Sequence, residues 1–493
     1  MADAQPRPTG KPMPTGIRVH YTHPTFFGFG LNASIQPTVS FGASFQDVCM
    51  DHITSQNPPA KAFLLVDSRL HPSRRTRQAQ VFLASIEAMG ASCVGATYMP
   101  NNLSWADTIH IIKAIRASSA DTLIVVGNDA FIDFAKVIVY GHSQLREDTA
   151  EHLNTLLTPS QTDVNSVQFV RQEPPFRTPL VFICVPTDGG KSPYSFRAFG
   201  VNPVTSAKSV LVRHANYPRL VILDPTMTVA SPRSEWIGKA VEAINHAVEG
   251  LVSTNAHAQV SSMLRTAIEH LCTGLLEGEN DQNTIQWKMK ARLLVLMGAN
   301  MVSATEASSP EVFFGISHAV CNVAHDMGNI KHSLTAAVVL PTVLDWTLTK
   351  FLEFHGKETF DKVLVLHQSI AHQLWESPVC ALTFSKNGLH KGAYLSRLLR
   401  TIFNTLGLPS NLRQLGFNDQ SLGVLAERLI RQHISKTAPM PLLDMELALN
   451  FISYVAPPLP DFEDPFQGGA VRPAVPPGYQ PGQRPPPHML LQQ

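Results

Sequence analysis

Apolar residues fall along this chain in two regimes. Between residues 61 and 223 they come as short unbroken runs: Lys61-Ala-Phe-Leu-Leu-Val-Asp67, Cys93–Tyr98, Asp121-Thr-Leu-Ile-Val-Val126, Val181–Val185 and Leu220–Leu223. A short apolar run closed by a polar residue is the pattern of a strand buried on both faces of a parallel sheet. Between the runs, Thr76–Met89, Ser104–Ser118 and Phe131–Val139 read as helices. This alternation predicts a doubly wound, Rossmann-like α/β domain. From Ser234 the pattern becomes one of long amphipathic helices, Ser234–Val252, Ala258–Leu276, Thr284–Ser303 and several more to about Tyr454. No convincing strand interrupts them, so an all-α C-terminal domain is predicted.

Four segments follow. Residues 1–24, punctuated by Pro and Gly, read as a flexible arm. Residues 25–230 form the α/β nucleotide-binding domain, in which 141–177 is a polar, Pro-containing surface insertion. Residues 231–455 form the helical metal and substrate domain. Residues 456–493, with PPLPDFEDP and QPGQRPPPH, are a Pro-rich disordered tail whose composition buries no core.

Composition narrows the class. A chain of 493 residues exceeds one ordinary domain, and 44% hydrophobic against 16% charged residues argues against global disorder. A net charge of +1 gives no case for nucleic acid or an acidic membrane surface as partner. No apolar run reaches the roughly 18 residues of a membrane span, and the N-terminus lacks the apolar core of a secretory signal. The six cysteines are scattered without C-x-x-C, as small buried hydrophobes in a reducing, cytoplasmic compartment. A homodimer is the default assembly.

The candidate chemistry lies in two stretches of the helical region. Phe314–Pro341 holds His318, His325 and His332, and Gly328-Asn329 argues for a helix, a bend and a second helix starting near His332. Such a bend can return His332 to the cavity of His318. In Glu242-Ala-Ile-Asn-His246 a carboxylate and an imidazole four apart share one helix face. Glu242, His246, His318 and His332 offer one oxygen and three nitrogens to a divalent metal. With 20 histidines in the chain, neighbours also arise by chance, and a lone buried histidine is more often hydrogen-bonded core. In the α/β domain, Gly127–Ala130 and Thr187–Ser192 sit at strand ends, where backbone N–H groups and the following helix N-terminus can hold a phosphate. Asp67 ends another strand, where a carboxylate can take ribose hydroxyls.

These motifs together resemble the iron-containing (group III) alcohol dehydrogenases, including their maleylacetate reductase branch. VVGNDAFIDFAK, with Gly127, Asn128, Asp129 and Asp133, resembles the family's pyrophosphate loop. VPTDGGKS, with Thr187, Asp188 and Ser192, resembles the loop that follows it. Lys208, Pro218 and VILDPTMT resemble the strand leading into the helical domain. AVEAINHAVEGLVSTNA, FGISHAVCNVAH and KHSLTAAVVLP resemble the stretches that carry the metal ligands, and assign Glu242, His246, His318 and His332 to them. The resemblance implies reversible hydride transfer between NAD(P) and an alcohol or carbonyl at a divalent iron or zinc, on a small organic substrate.

The departures fall on working residues. Glu242 replaces the family's Asp and reaches one methylene further. A Glu/His/His set resembles the related dehydroquinate synthases, which share the fold and catalyse elimination and cyclisation. Asn322 replaces a proton-relaying histidine and does not titrate near neutrality, leaving His325 as the substitute. Asp129 brings a carboxylate to the phosphate loop, a repulsion on the order of 1–3 kcal/mol at about 4–6 Å, and Asp188 adds another anion, with Lys191 available to offset one of them. Two alternatives therefore stand beside the dehydrogenase: a lyase or cyclase using the metal without hydride transfer, and a non-catalytic degenerate member.

Overall fold

The computed structural model describes residues 37–456 except 57–58, 75–76, 100–103, 158–174, 196, 202–207, 213–216, 230, 253–257, 281, 309–314, 329, 433–441 and 443. The predicted arm, and the Pro-rich tail beyond Ala456, lie outside the described residues. The chain divides into two compact units: Met1–Phe313 with His372–Leu382, and Phe314–Ala371 with Thr383–Gln493.

The first unit alternates as β1 (Thr38–Phe41), α1 (Phe45–Thr54), β2 (Ala62–Asp67), α2 (Arg77–Met89), β3 (Cys93–Met99), α3 (Trp105–Ser118), β4 (Thr122–Gly127), α4 (Asp129–Gln144), α5 (Ala150–Leu157), β5 (Val181–Pro186), β6 (Arg197–Val201), β7 (Lys208–Val212) and β8 (Leu220–Leu223). Six strands form one parallel sheet in the order β1-β8-β5-β4-β2-β3, and β6 and β7 form a separate antiparallel pair. Every residue of β2 and β4 is buried, the two-faced burial their unbroken apolar runs require. Leu64, Val66, Ile124, Val126, Ile183 and Val185, at period two, pack with Phe45, Cys49 and Ile53 of α1 and Phe82 of α2.

After β3 the chain returns to place β4 on the opposite side of β2, so the strand order reverses between β2 and β4. Ligands of open parallel sheets bind outside the carboxyl ends at such a switch point. Those ends are Asp67 and Gly127, and Gly127 pairs in register with Pro186 of β5.

Three elements differ from the sequence reading. Helix α4 starts at Asp129 rather than Phe131, because the Asn128 side chain caps it by accepting the Phe131 N–H at 3.0 Å. Gly141, His142 and Ser143 are buried in the last turn of that helix and Leu153 and Leu157 of α5 are buried, so the N-terminal part of the expected surface insertion is core-forming, whereas residues 175–177 are exposed. Strand β1 and the β6–β7 pair are additional.

Helices α6 (Arg233–Val252), α7 (Ala258–Gly278) and α8 (Ile285–Ser308) belong to the first unit, so its boundary falls at Phe313 and not near residue 231. They pack on one another and on the sheet end: Arg292 of α8 donates to the Thr228 carbonyl at 2.6 Å and lies over the Trp236 ring at 4.5 Å. The second unit is helical, with α9 (Ile316–Gly328), α10 (His332–Glu376), α11 (Pro378–Lys386), α12 (Leu395–Thr405), α13 (Asp419–Leu429) and α14 (Met445–Val455), α10 and α11 sharing residues with the first. Helix α10 kinks at Gly356, whose φ of 75° suits a residue without Cβ. Val320, Val339, Trp346, Leu425 and Phe451 share the core of this unit.

Candidate active site

In the first unit the candidate residues form one charged network around the carboxyl ends of β4 and β5. Asn128 caps α4, and Asp129 occupies its first turn. The Asp129 carboxylate accepts the Ser192 N–H at 2.6 Å and pairs with Lys239 Nζ at 3.1 Å. Asp188, 1% exposed, accepts the Asp129 N–H at 3.2 Å and the Gly190 N–H at 3.1 Å. Burial pushes the Asp188 carboxyl up to about 7, and the charge of Asp129 beside it acts in the same direction. Burial also opposes ionisation of Asp129, but Lys239 and the Ser192 N–H outweigh it and hold that carboxyl below its usual range. The two therefore titrate as a pair, with Asp129 the first to ionise and Asp188 ionising near neutrality.

Lys239 also bonds Glu242 Oε2 at 2.9 Å. Burial works against its charge, yet Glu242, Asp129 and Asp188 together hold it protonated. One turn deeper in α4, Asp133 pairs with the fully buried Lys136 at 3.1 Å. Burial raises the Asp133 carboxyl against the opposing pull of Lys136. Thr187 donates its N–H to the Gly127 carbonyl at 2.9 Å, while its hydroxyl is buried with no hydrogen-bond partner among the described residues. Asp67 is held by Arg69, through Nε at 2.9 Å and Nη2 at 2.7 Å, so its carboxylate is already engaged. Lys208 begins β7 in the antiparallel pair, opposite Val201.

Glu242 and His246 lie one turn apart on α6, as their spacing requires. His246 Nδ1 is 2.5 Å from Glu306 Oε1 on α8 and 2.7 Å from Lys191 Nζ, which itself donates to Glu306 at 2.7 Å. A contact of 2.5 Å between a ring nitrogen and a carboxylate requires a proton on the nitrogen. Glu306 accepts from Lys191, and the tautomer that also donates Nδ1–H to Glu306 leaves the lone pair of the neutral ring on Nε2. Burial and then Lys191 lower the imidazole's proton affinity, keeping the ring neutral. Burial disfavours the Glu306 charge, but Lys191 and His246 overcome it and hold the carboxyl far below its usual range. Lys239 and Glu306 were not among the sequence candidates; Lys239 was legible as a cation three residues before Glu242, whereas Glu306 has no motif or spacing to mark it.

In the second unit α9 ends at Gly328 and α10 begins at His332, the helix, bend and helix expected of Gly328-Asn329. The bend brings the rings of His318 and His332 edge to face, with centroids 5.0 Å apart. Asn322 Oδ1 accepts from His332 Nε2 at 3.0 Å, so the amide orients that ring rather than relaying a proton. His325 lies half-buried in the last turn of α9. Among the described residues no three His, Cys, Asp or Glu side chains form a metal-holding group.

The four donors suit a divalent metal in kind: one carboxylate and three imidazoles, with His246 held neutral. A nicotinamide dinucleotide would lie at the switch point, beside the Thr187 hydroxyl that has no partner among the described residues, but the loop N–H groups that would take its phosphates are engaged by Asp129 and Asp188.

A six-stranded parallel sheet with its switch point at β2/β4, followed by a helical unit, defines the class as an α/β domain joined to an all-α one. The model of the "Fe-containing alcohol dehydrogenase family, C-terminal" matches residues 237–448. The "Dehydrogenase ALT3" of Alternaria alternata is 25% identical over 379 residues, 73% of this chain and 90% of that protein. The fold is that of maleylacetate reductase from Agrobacterium tumefaciens, at TM-score 0.59 and 17% identity over 85% of this chain and 96% of that one. It is likewise that of sulfoacetaldehyde reductase from Bifidobacterium kashiwanohense in complex with NAD+, at TM-score 0.63 and 15% identity over 85% and 97%. Residues 237–448 thus match the C-terminal domain of the iron-containing alcohol dehydrogenase family, a family of oxidoreductases, and the chain as a whole shares the fold of the two reductases above.

Proposed function

We propose that the protein is a metal- and NAD(P)-dependent oxidoreductase that interconverts an alcohol and a carbonyl on a small organic molecule. The observation that carries this reading is the state of the four donors. Burial and Lys191 keep His246 neutral while Glu306 engages its Nδ1, and Asn322 fixes the ring of His332 beside His318. Hydrogen-bonded second partners of this kind orient metal-binding histidines. Glu242, His246, His318 and His332 are the residues that would hold iron or zinc, whose chemistry is that of a Lewis acid on the substrate oxygen. The carboxyl ends of β2 and β4 and the N-terminus of α4 would bind and orient the nicotinamide, the source of the hydride. Asn322 contributes orientation only, so the proton on the product alcohol comes from another group, for which His325 is the candidate on α9.

One observation favours a second reading. Asp188 and Asp129 occupy the phosphate-binding N–H groups, an arrangement suited to metal-assisted elimination or cyclisation without a nicotinamide. Replacement of metal donors tests the leading reading. Glu242→Ala and His332→Ala should lose bound iron or zinc and all nicotinamide-linked turnover while melting as the parent does. Retained turnover in either variant contradicts the proposal. Product formation that needs the donors but no nicotinamide transfers the case to the second reading.

A further inference from the structure

Two loops meet at the switch point, and each presents backbone N–H groups of the kind that cradle a pyrophosphate. One is the first turn of α4, a helix of 16 residues, at Asp129. The other is the loop after β5, at Gly190 and Ser192. All three N–H groups are taken by the chain's own carboxylates. Asp188 accepts from Asp129 and Gly190, and Asp129 accepts from Ser192. Gly190 leaves room for a close backbone approach, and Asp129 fills it: a Cβ on Gly190 would lie 2.3 Å from Asp129 Cγ.

Resting on the nicotinamide reading above, we propose that Asp188 and Asp129 form an internal anion in the pyrophosphate position, so that a dinucleotide enters only by displacing the Asp188 carboxylate. A helix N-terminus stabilises an anion placed on it, and here the chain supplies that anion itself. The charge balance makes the replacement costly for a second one. Lys239 is shared between Asp129 and Glu242, and Lys191 is committed to Glu306. A pyrophosphate arriving beside both carboxylates thus finds no uncommitted lysine of this network.

Asp188 is the member that yields. Asp129 has a salt bridge with Lys239, whereas Asp188 has no cation at hydrogen-bonding distance among the described residues. Its neighbour in the loop points to a ligand independently. Thr187 is 4% exposed and its buried hydroxyl has no partner among the described residues, as expected of a group that an incoming acceptor completes. Asp188 therefore acts as a specificity residue for the cofactor, setting how tightly and under what conditions the dinucleotide binds.

The test compares the full-length protein with Asp188→Thr, which removes the carboxylate, and Asp188→Asn, which keeps its shape without its charge. Each is titrated calorimetrically with inorganic pyrophosphate and by nicotinamide fluorescence with NADPH and NADH, after its melting curve is shown to match the parent. Both variants should bind pyrophosphate and NADPH at least ten-fold tighter than the parent. Equal pyrophosphate affinity in all three proteins, whether tight or absent, overturns the internal anion. If one variant fails to fold, the other decides. A gain in pyrophosphate binding with no nicotinamide binding supports the internal anion and removes the nicotinamide reading, so the two failures are distinguishable.

Discussion

Lys136→Met probes whether α4 is anchored by a buried ion pair below its first turn. Lys136 has no exposed surface, and its amine lies 3.1 Å from the Asp133 carboxylate, itself 9% exposed. At that distance the gross attraction is about 5 kcal/mol at an effective dielectric near 20. Methionine preserves the apolar stem and strands the carboxylate, a change that costs about 3–5 kcal/mol when one partner of a buried pair is removed. Asp133 can escape by taking a proton. Against an unfolded value near 3.9, this costs about 4 kcal/mol at pH 7 and about 1.4 less for each pH unit below it. The expected loss is therefore about 3–4 kcal/mol at pH 7, shrinking toward pH 5. The sign follows from linkage. The variant's folded state holds a proton that its unfolded state has released, so its stability falls as pH rises from about 4 through the folded value. The parent shares this sign, since burial already raises Asp133, but Lys136 limits the size. Urea unfolding of parent and variant at pH 5, 6 and 7 measures the difference. Asp133→Asn combined with Lys136→Met should recover most of the loss. A loss under about 1 kcal/mol at pH 7, or one independent of pH, refutes the anchoring argument.

Two further outcomes follow from the geometry. Glu306→Gln removes the carboxylate that fixes the His246 tautomer and should weaken zinc binding by about 10–100-fold, read by competition with a chromogenic chelator. Unchanged zinc affinity would show that Glu306 serves Lys191 alone. Ser104→Ala removes half of the capping box of α3 and should lower stability by about 1 kcal/mol in urea unfolding without touching zinc or nucleotide affinity.

The sheet was legible because its central strands are buried on both faces, which writes them as unbroken runs such as Ala62–Asp67 and Thr122–Gly127. Strand β1 escaped the same reading. Thr38–Phe41 is short, alternates polar with apolar residues and lies at the sheet edge. The start of α4 was legible in principle, since Asn128 is a strong N-cap residue. The unit boundary was not, because it depends on α6–α8 packing with the sheet rather than on where strands stop. The bend before His332 was visible in Gly328-Asn329, and its consequence, two imidazoles in ring contact, followed. The charged residues show the limit most clearly. Asp129 and Asp188 could be named as anions near a phosphate loop, but that they bond to the loop's own N–H groups is a fact of three-dimensional placement. Glu306 sits 60 residues beyond His246 in the sequence and becomes visible only when α8 packs on α6.

The central claim is that this divergent chain still performs nicotinamide-linked redox chemistry at a divalent metal. Its most direct test is titration of metal-analysed, full-length protein with NADPH and NADH, following nicotinamide fluorescence. The account predicts about one equivalent of iron or zinc per chain and saturable nucleotide binding. A bound metal with no nucleotide binding, in the parent and in Asp188→Thr alike, would contradict it and leave metal-assisted elimination or cyclisation as the chemistry of this fold.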